Sequence, residues 1–81
     1  METRVAIIGI IIEDSSSSKF VNEILHDYSS YILGRMGIPK VKENVNVISV
    51  IVDAPQNEIS ALTGKLGMIQ EVSCKAIYSK I

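Results

Sequence analysis

Four β-rich segments and two amphipathic ones alternate in the order β-α-β-β-α-β, which predicts a single α+β domain with helices layered on an antiparallel sheet. Two observations carry this. Val5–Ile12 and Val45–Asp53 are apolar on both alternating faces and rich in β-branched residues, as central strands are. Residues 20–33, and later Ile59, Leu62, Leu66 and Ile69, repeat apolar side chains at helical spacing. The chain has 81 residues, enough for one such domain and too few for two.

The first strand reads VAIIGIII, and Gly9 inside it marks a bulge or the close approach of another backbone. EDSSSSK follows as a loop, in which Asp14 and Ser15–Ser18 supply oxygens that accept from the amides of a helix start. From Phe20 to Leu33, Val21, Ile24, Leu25, Tyr28 and Ile32 form one face of a helix of about four turns. Gly34 or Gly37 is expected to end it, with Arg35 favoured by the helix C-terminal dipole. Residues 38–43, IPKVKE, read as an edge strand, since Pro39 removes a ladder donor and lysines discourage further pairing. A turn at Glu43-Asn44 leads into the third strand. Asp53, Pro55 and Gln56 read as a capped helix start, and the second helix should stop near Gly67. In the last strand, Val72, Cys74, Ala76 and Tyr78 share one face, and Ser73, Lys75 and Ile77 the other.

Right-handed crossovers turn this order into the ferredoxin-like βαββαβ sandwich, with sheet order 4-1-3-2 and strands 1 and 3 at the centre. Two helices cover only one sheet face. The uncovered face should turn polar, yet neither does: Val5, Ile7, Gly9 and Ile11 share one face of the first strand and Ala6, Ile8, Ile10 and Ile12 the other, and in the third Val45, Val47 and Ile51 share a face with Ser49 while Ile48, Val50 and Val52 take the other. An apolar face of this kind predicts a homo-oligomer, formed through the open face or by pairing of sheet edges. So small a core argues the same way.

The bulk numbers exclude several classes. A net charge of −1 with interspersed signs offers no basic face, so direct nucleic-acid binding is not expected. The apolar run at the N-terminus is far shorter than a membrane span and is followed by Glu13-Asp14, so neither membrane insertion nor a signal peptide is expected. The lone Cys74 cannot pair within the chain and fits a reducing, cytoplasmic setting.

The chemical motifs fail their tests. Gly64-Lys65 resembles part of a phosphate loop. The first glycine of that motif is replaced by Ile59, however, and the residue after the lysine is Leu66. Packing is the simpler role for Gly64, with Lys65 in solvent. His26 and Cys74 are the sole nitrogen and sulfur candidates for a metal, which needs more ligands than one chain supplies; a site shared between subunits is the remaining form. No carboxylate pair has a spacing that demands acid–base work, so no enzyme and no cofactor is expected. A ligand site is expected at Gly9, Glu13, Asp14, Ser15, Ser16, Ser17 and Ser18. There a glycine-interrupted strand meets cap oxygens and free helix amides, suited to an anionic or amino-acid group.

The segments EILHDYSSYILGRMGIPK and ISALTGKLGMIQEVSCKAIYSK resemble the iron-only hydrogenase system regulators, over nearly the whole chain. That resemblance implies an ACT-like form of the ferredoxin-like fold and a regulatory role, transcriptional or otherwise, beside hydrogenase maturation rather than catalysis. The end segment is also similar to the sensor domain of nickel-responsive repressors, which add a DNA-binding segment and bind nickel through several histidines and a cysteine. This chain starts at the first strand and has one histidine, so neither property is expected of it. The leading expectation is a cytoplasmic, non-enzymatic, oligomeric sensor with a small ligand at a subunit interface. The alternative is a protein-interaction adaptor without ligand, docking on a regulatory or maturation partner. A weaker third is a metal held between subunits by His26 and Cys74.

Overall fold

The computed structural model describes residues 2–80. The strands are β1 (Arg4–Ile12), β2 (Ile32–Lys42), β3 (Val45–Ala54) and β4 (Val72–Tyr78), and the helices are α1 (Ser18–Asp27) and α2 (Gln56–Gly67). Short 3-10 turns, Ser15–Ser17 and Ser29–Tyr31, flank α1. The sheet runs β2-β3-β1-β4 with antiparallel pairing throughout, which is 4-1-3-2 read from the other edge.

Alternation along the two central strands decides where the core sits. Ala6, Ile8, Ile10 and Ile12 of β1 point toward the helices with Ile48, Val50 and Val52 of β3, and all are buried. Val21 and Leu25 of α1 and Ile59, Leu62 and Leu66 of α2 close over them. The helical spacings read from the sequence are therefore the ones that pack. The odd-numbered residues of β1 face the other way, and Val5, Ile7 and Ile11 are 43–46% exposed there.

The first helix is shorter than its apolar spacing predicts. It ends at Asp27, and residues 32–35 belong to β2 instead. Ser29 and Ser30 are weak helix formers, and Gly34 and Gly37 would weaken any continuation. Ladder bonds to β3 win: Ile32 pairs with Val52, Gly34 with Ile51 and Gly37 with Ile48. Gly34 and Gly37 are thus strand residues and not helix terminators. Arg35 donates to Asn22 Oδ1 at 2.7 Å instead of sitting at a helix end.

Three smaller expectations also change. Asp53 stays in β3, and α2 starts after Pro55 without a side-chain cap. Gln56 instead donates from Nε2 to the Tyr78 hydroxyl (2.9 Å) and accepts from Arg4 (2.8 Å), tying the helix start to β4 and β1. Gly9 makes no bulge: it pairs in unbroken register with Ser49 and Lys75. Gly64 is exposed, and an added Cβ there would meet nothing within 4 Å, so it serves no close packing. The edge strand shifts register twice, between Ile32 and Gly34 and between Ile38 and Lys42; at the second Lys40 has φ 55° and its amide donates to Asn46 Oδ1 at 2.9 Å. Such a bulge beside Pro39 blunts the edge as the lysines do.

Ile10 lies fully buried at the middle of β1. Ile10→Ala should cost about 2–5 kcal/mol in urea unfolding, comparable with the whole net stability of a core this size. A cost near zero would mean the helices do not seal this face.

Candidate functional site

Where β1 ends, the chain must turn from the sheet into the helix layer, and the serine tract makes that turn. Glu13 donates its amide to the Glu71 carbonyl at 2.8 Å, fastening the loop to the α2–β4 connection. Asp14 is extended (φ −138°) and caps the first 3-10 turn, its Oδ1 accepting from the Ser16 amide at 3.0 Å and the Ser16 hydroxyl at 2.8 Å. These bonds, the hydroxyl first, hold the Asp14 carboxyl below its usual range. The Ser17 amide donates to the Asp14 carbonyl, and the Ser18 amide to the Ser15 carbonyl.

Each serine has a different partner. Ser15 Oγ donates to Asn44 Oδ1 (3.1 Å) in the β2–β3 turn, and Ser18 Oγ accepts from Asn46 Nδ2 (2.9 Å) on β3. Ser17, buried, donates to the Gln70 carbonyl at 3.0 Å. The tract thus joins both neighbouring turns to the start of α1. The amides of Ser16, Ser17 and Ser18, which an anion would need, are already engaged within the loop.

Beside this turn lies an open groove of about 1090 Å³. Asp14, Ser16 and Ser17 form one wall; Phe20, Asn22, Glu23, Ile24, His26 and Asp27 of α1, with Ile69 and Gln70, line the rest. Its walls are mixed: apolar at Phe20, Ile24 and Ile69, acidic at Asp14, Glu23 and Asp27. Of the seven residues expected at a ligand site, Asp14, Ser16 and Ser17 meet here. Ser15 and Ser18 are turned to the β2–β3 hairpin, Glu13 is exposed outside the groove, and Gly9 sits on the opposite sheet face. Sequence reading missed Phe20, Glu23 and Gln70. The signal for Phe20 and Glu23 was their place on the half of α1 facing away from the core.

The two metal candidates are not brought together within the chain. His26 is exposed on α1 at the groove. Cys74 packs under α2, its Sγ 3.3 Å from the Thr63 carbonyl, and burial pushes its thiol up. Such a thiol is a weak nucleophile at neutral pH. Among the described residues, no group of three or more His, Cys, Asp or Glu side chains could hold a metal ion. The Lys65 ammonium stands 5.0 Å from the Tyr28 ring centroid, and the Tyr28 hydroxyl raises its pKa, so this lysine is engaged with the residue that follows α1.

The lowered Asp14 pKa makes a pH prediction. Stability from this cap is present above the unfolded-state pKa, about 3.9 for aspartate, and is lost as pH falls through the lower folded value. Acidification through that window should therefore lower the melting temperature of the wild-type chain more steeply than that of Asp14→Asn. Parallel curves would show that the cap does not form.

Comparison with known proteins adds the following. A family profile described as "Iron-only hydrogenase system regulator, putative" (TM1266-like) matches residues 4–76. The structure of the uncharacterized protein TM1266 from Thermotoga maritima is 39% identical, covers 98% of this chain and 100% of its own, and superposes with a TM-score of 0.91. CPII, a nitrogen regulatory PII-like protein from Thiomonas intermedia K12 bound to ADP, AMP and bicarbonate, shares the fold at 13% identity. It covers 99% of this chain and 96% of its own, with a TM-score of 0.56. No curated protein matches the chain. Among the described residues, no helix is long and apolar enough to cross a membrane.

Proposed function

Because the chain belongs to the iron-only hydrogenase system regulator family, we propose that it is a non-enzymatic, cytoplasmic sensor that takes a small ligand in the groove beside α1. The observation that carries this is the composition of the groove: three carboxylates, two serines and an exposed imidazole around an apolar floor. An acidic rim beside apolar side chains suits a small molecule with an amine or several hydroxyls and an apolar part. It disfavours phosphates. The loop amides are spent on the turn itself, and Asp14 occupies the place where an anion would sit. The nucleotides and bicarbonate bound by the PII-like neighbour are therefore not carried over to this groove. The amino-acid class expected from the sequence is kept through its ammonium end rather than its carboxylate.

Regulation then works by ordering. A ligand bridging α1 and residues 69–70 adds to the hydrogen bonds by which Glu13 and Ser17 fasten the loop before the first helix to the α2–β4 connection. Stabilising one arrangement of that corner is enough to alter what a partner protein meets there.

A thermal-shift screen against amino acids, polyamines, nucleotides and divalent metals tests this reading. An amine-bearing compound should raise the melting temperature, and Glu23→Gln combined with Asp27→Asn should abolish the shift. A hit among nucleotides alone would overturn the acidic-groove reading. No hit at all would favour the protein-interaction adaptor.

A further inference from the structure

The sheet face turned away from the helices is patterned by size. Strand registers arrange it in rows that cross β2, β3, β1 and β4 in turn. One row reads Gly34, Ile51, Ile7, Ile77, running from a missing side chain at one edge to a side chain 71% exposed at the other. The middle row has Ser49 and Gly9 at its centre, between Met36 and Lys75. The third has Val47 and Ile11 at its centre and ends in Ile38 and Ser73, large on β2 and small on β4. A Cβ built at Gly9 or Gly34 meets nothing within 4 Å. The chain's own fold therefore needs neither gap, although glycine inside a strand weakens it.

We propose that this face is the interface of a two-fold homodimer, packed sheet against sheet, with the axis running along the strands between β3 and β1. That rotation exchanges β3 with β1 and β2 with β4 while keeping each row opposite itself. Ile77 then meets Gly34 of the second copy, and Ile38 meets its Ser73. Ile51 faces Ile7, and Ser49 faces Gly9 at the centre. Large stands against small at every edge position of the two apolar rows, within the twist of about 30° that aligned sheets adopt. A two-fold interface requires a surface that complements itself, and this pattern does so. Lys75 carries the one charge in these three rows; the other charges of this face, Asp53 beside Val5 and Lys42 beside Val45, lie in the rows toward its two ends. Under this axis the Lys75 stem lies over Met36 of the second copy with the ammonium at the rim. An axis across the strands would set Lys75 against Lys75.

The area suffices. Four strands about 4.8 Å apart, paired over about eight residues at about 3.3 Å each, present roughly 500 Å² of flat face per copy. Two copies bury roughly 1,000 Å² before side-chain relief is added, which meets the threshold of about 1,000 Å² for a biological interface. The groove beside α1 lies outside this interface, so the dimer does not rest on the ligand reading, and its ligand would be held by one protomer.

Sedimentation equilibrium of the full chain decides the matter, run on the wild type, Gly9→Lys, Ile77→Ser and the control Met68→Lys, whose side chain is 87% exposed outside these rows. Wild type and Met68→Lys should be dimers at about 10 μM, within the range that standard interfaces give. Gly9→Lys should weaken dimerisation at least about a hundredfold, as disruption at an interface centre does, with its helical and strand circular dichroism unchanged. Ile77→Ser removes an exposed side chain and should weaken the dimer about tenfold, so it remains decisive if Gly9→Lys fails to fold. A monomeric wild type, or a dimer indifferent to Ile77→Ser, overturns the proposal; the second result would point to pairing of sheet edges.

Discussion

A strand apolar on both faces, held at the middle of a four-stranded sheet, is the constraint from which the rest of this molecule follows. β1 sends Ala6, Ile8, Ile10 and Ile12 to one side and Val5, Ile7 and Ile11 to the other. The first set obliges two helices to cover it and fixes their apolar stripes. The second set is left in contact with water by the topology, since both crossovers of a βαββαβ chain fall on the same side. Burial of apolar surface contributes about 25 cal/mol per Å², and a domain of 81 residues has little stability to spare. An open face of this composition is therefore a strong reason for association.

The connection after β1 has the opposite character. It is polar, and its side chains are committed to one another and to the two adjacent turns. Asp14 holds Ser16, Ser17 holds the Gln70 carbonyl, and Ser15 and Ser18 reach Asn44 and Asn46. What this leaves for a ligand is a groove whose charge comes from α1 and Asp14 rather than a cluster of free amides. The two exposed features thus differ in kind: an apolar sheet face on one side, and a polar, acidic groove at one corner of the helix layer on the other.

Much of the fold was legible because the two central strands and the second helix are locally consistent. Val45–Asp53 is short and dominated by β-branched residues, and the stripe Ile59, Leu62, Leu66 keeps helical spacing behind a proline start, so composition and period agree in both. The segment from Tyr28 to Arg35 was not, because its helical spacing was real but weak. The bonds that made it a strand come from β3, distant in sequence, and edge-strand pairing of this kind leaves little local trace. Asp53 failed as a cap for a related reason: Pro55 restricts Ala54 to extended backbone and carries the strand past it. At the candidate site the loop was found from its capping residues. Which of its residues face the groove was not legible: composition does not tell a serine lining it, as Ser16 and Ser17 do, from one bonded to the β2–β3 hairpin, as Ser15 and Ser18 are. Gly9 was read as a bulge or close approach and as part of that site, and the register shows it paired without a bulge and facing away from the loop.

The central claim, that β1 is meant to be covered on both sides, is tested most directly by NMR on a sample mixing isotope-labelled and unlabelled protomers. Isotope-filtered NOEs should connect methyl groups of Ile7 with Ile51 and of Ile11 with Val47 across the two copies, with none from the buried Ile8 and Ile10. Intermolecular NOEs confined to the outer edge of β4, or absent altogether at millimolar concentration, would contradict it.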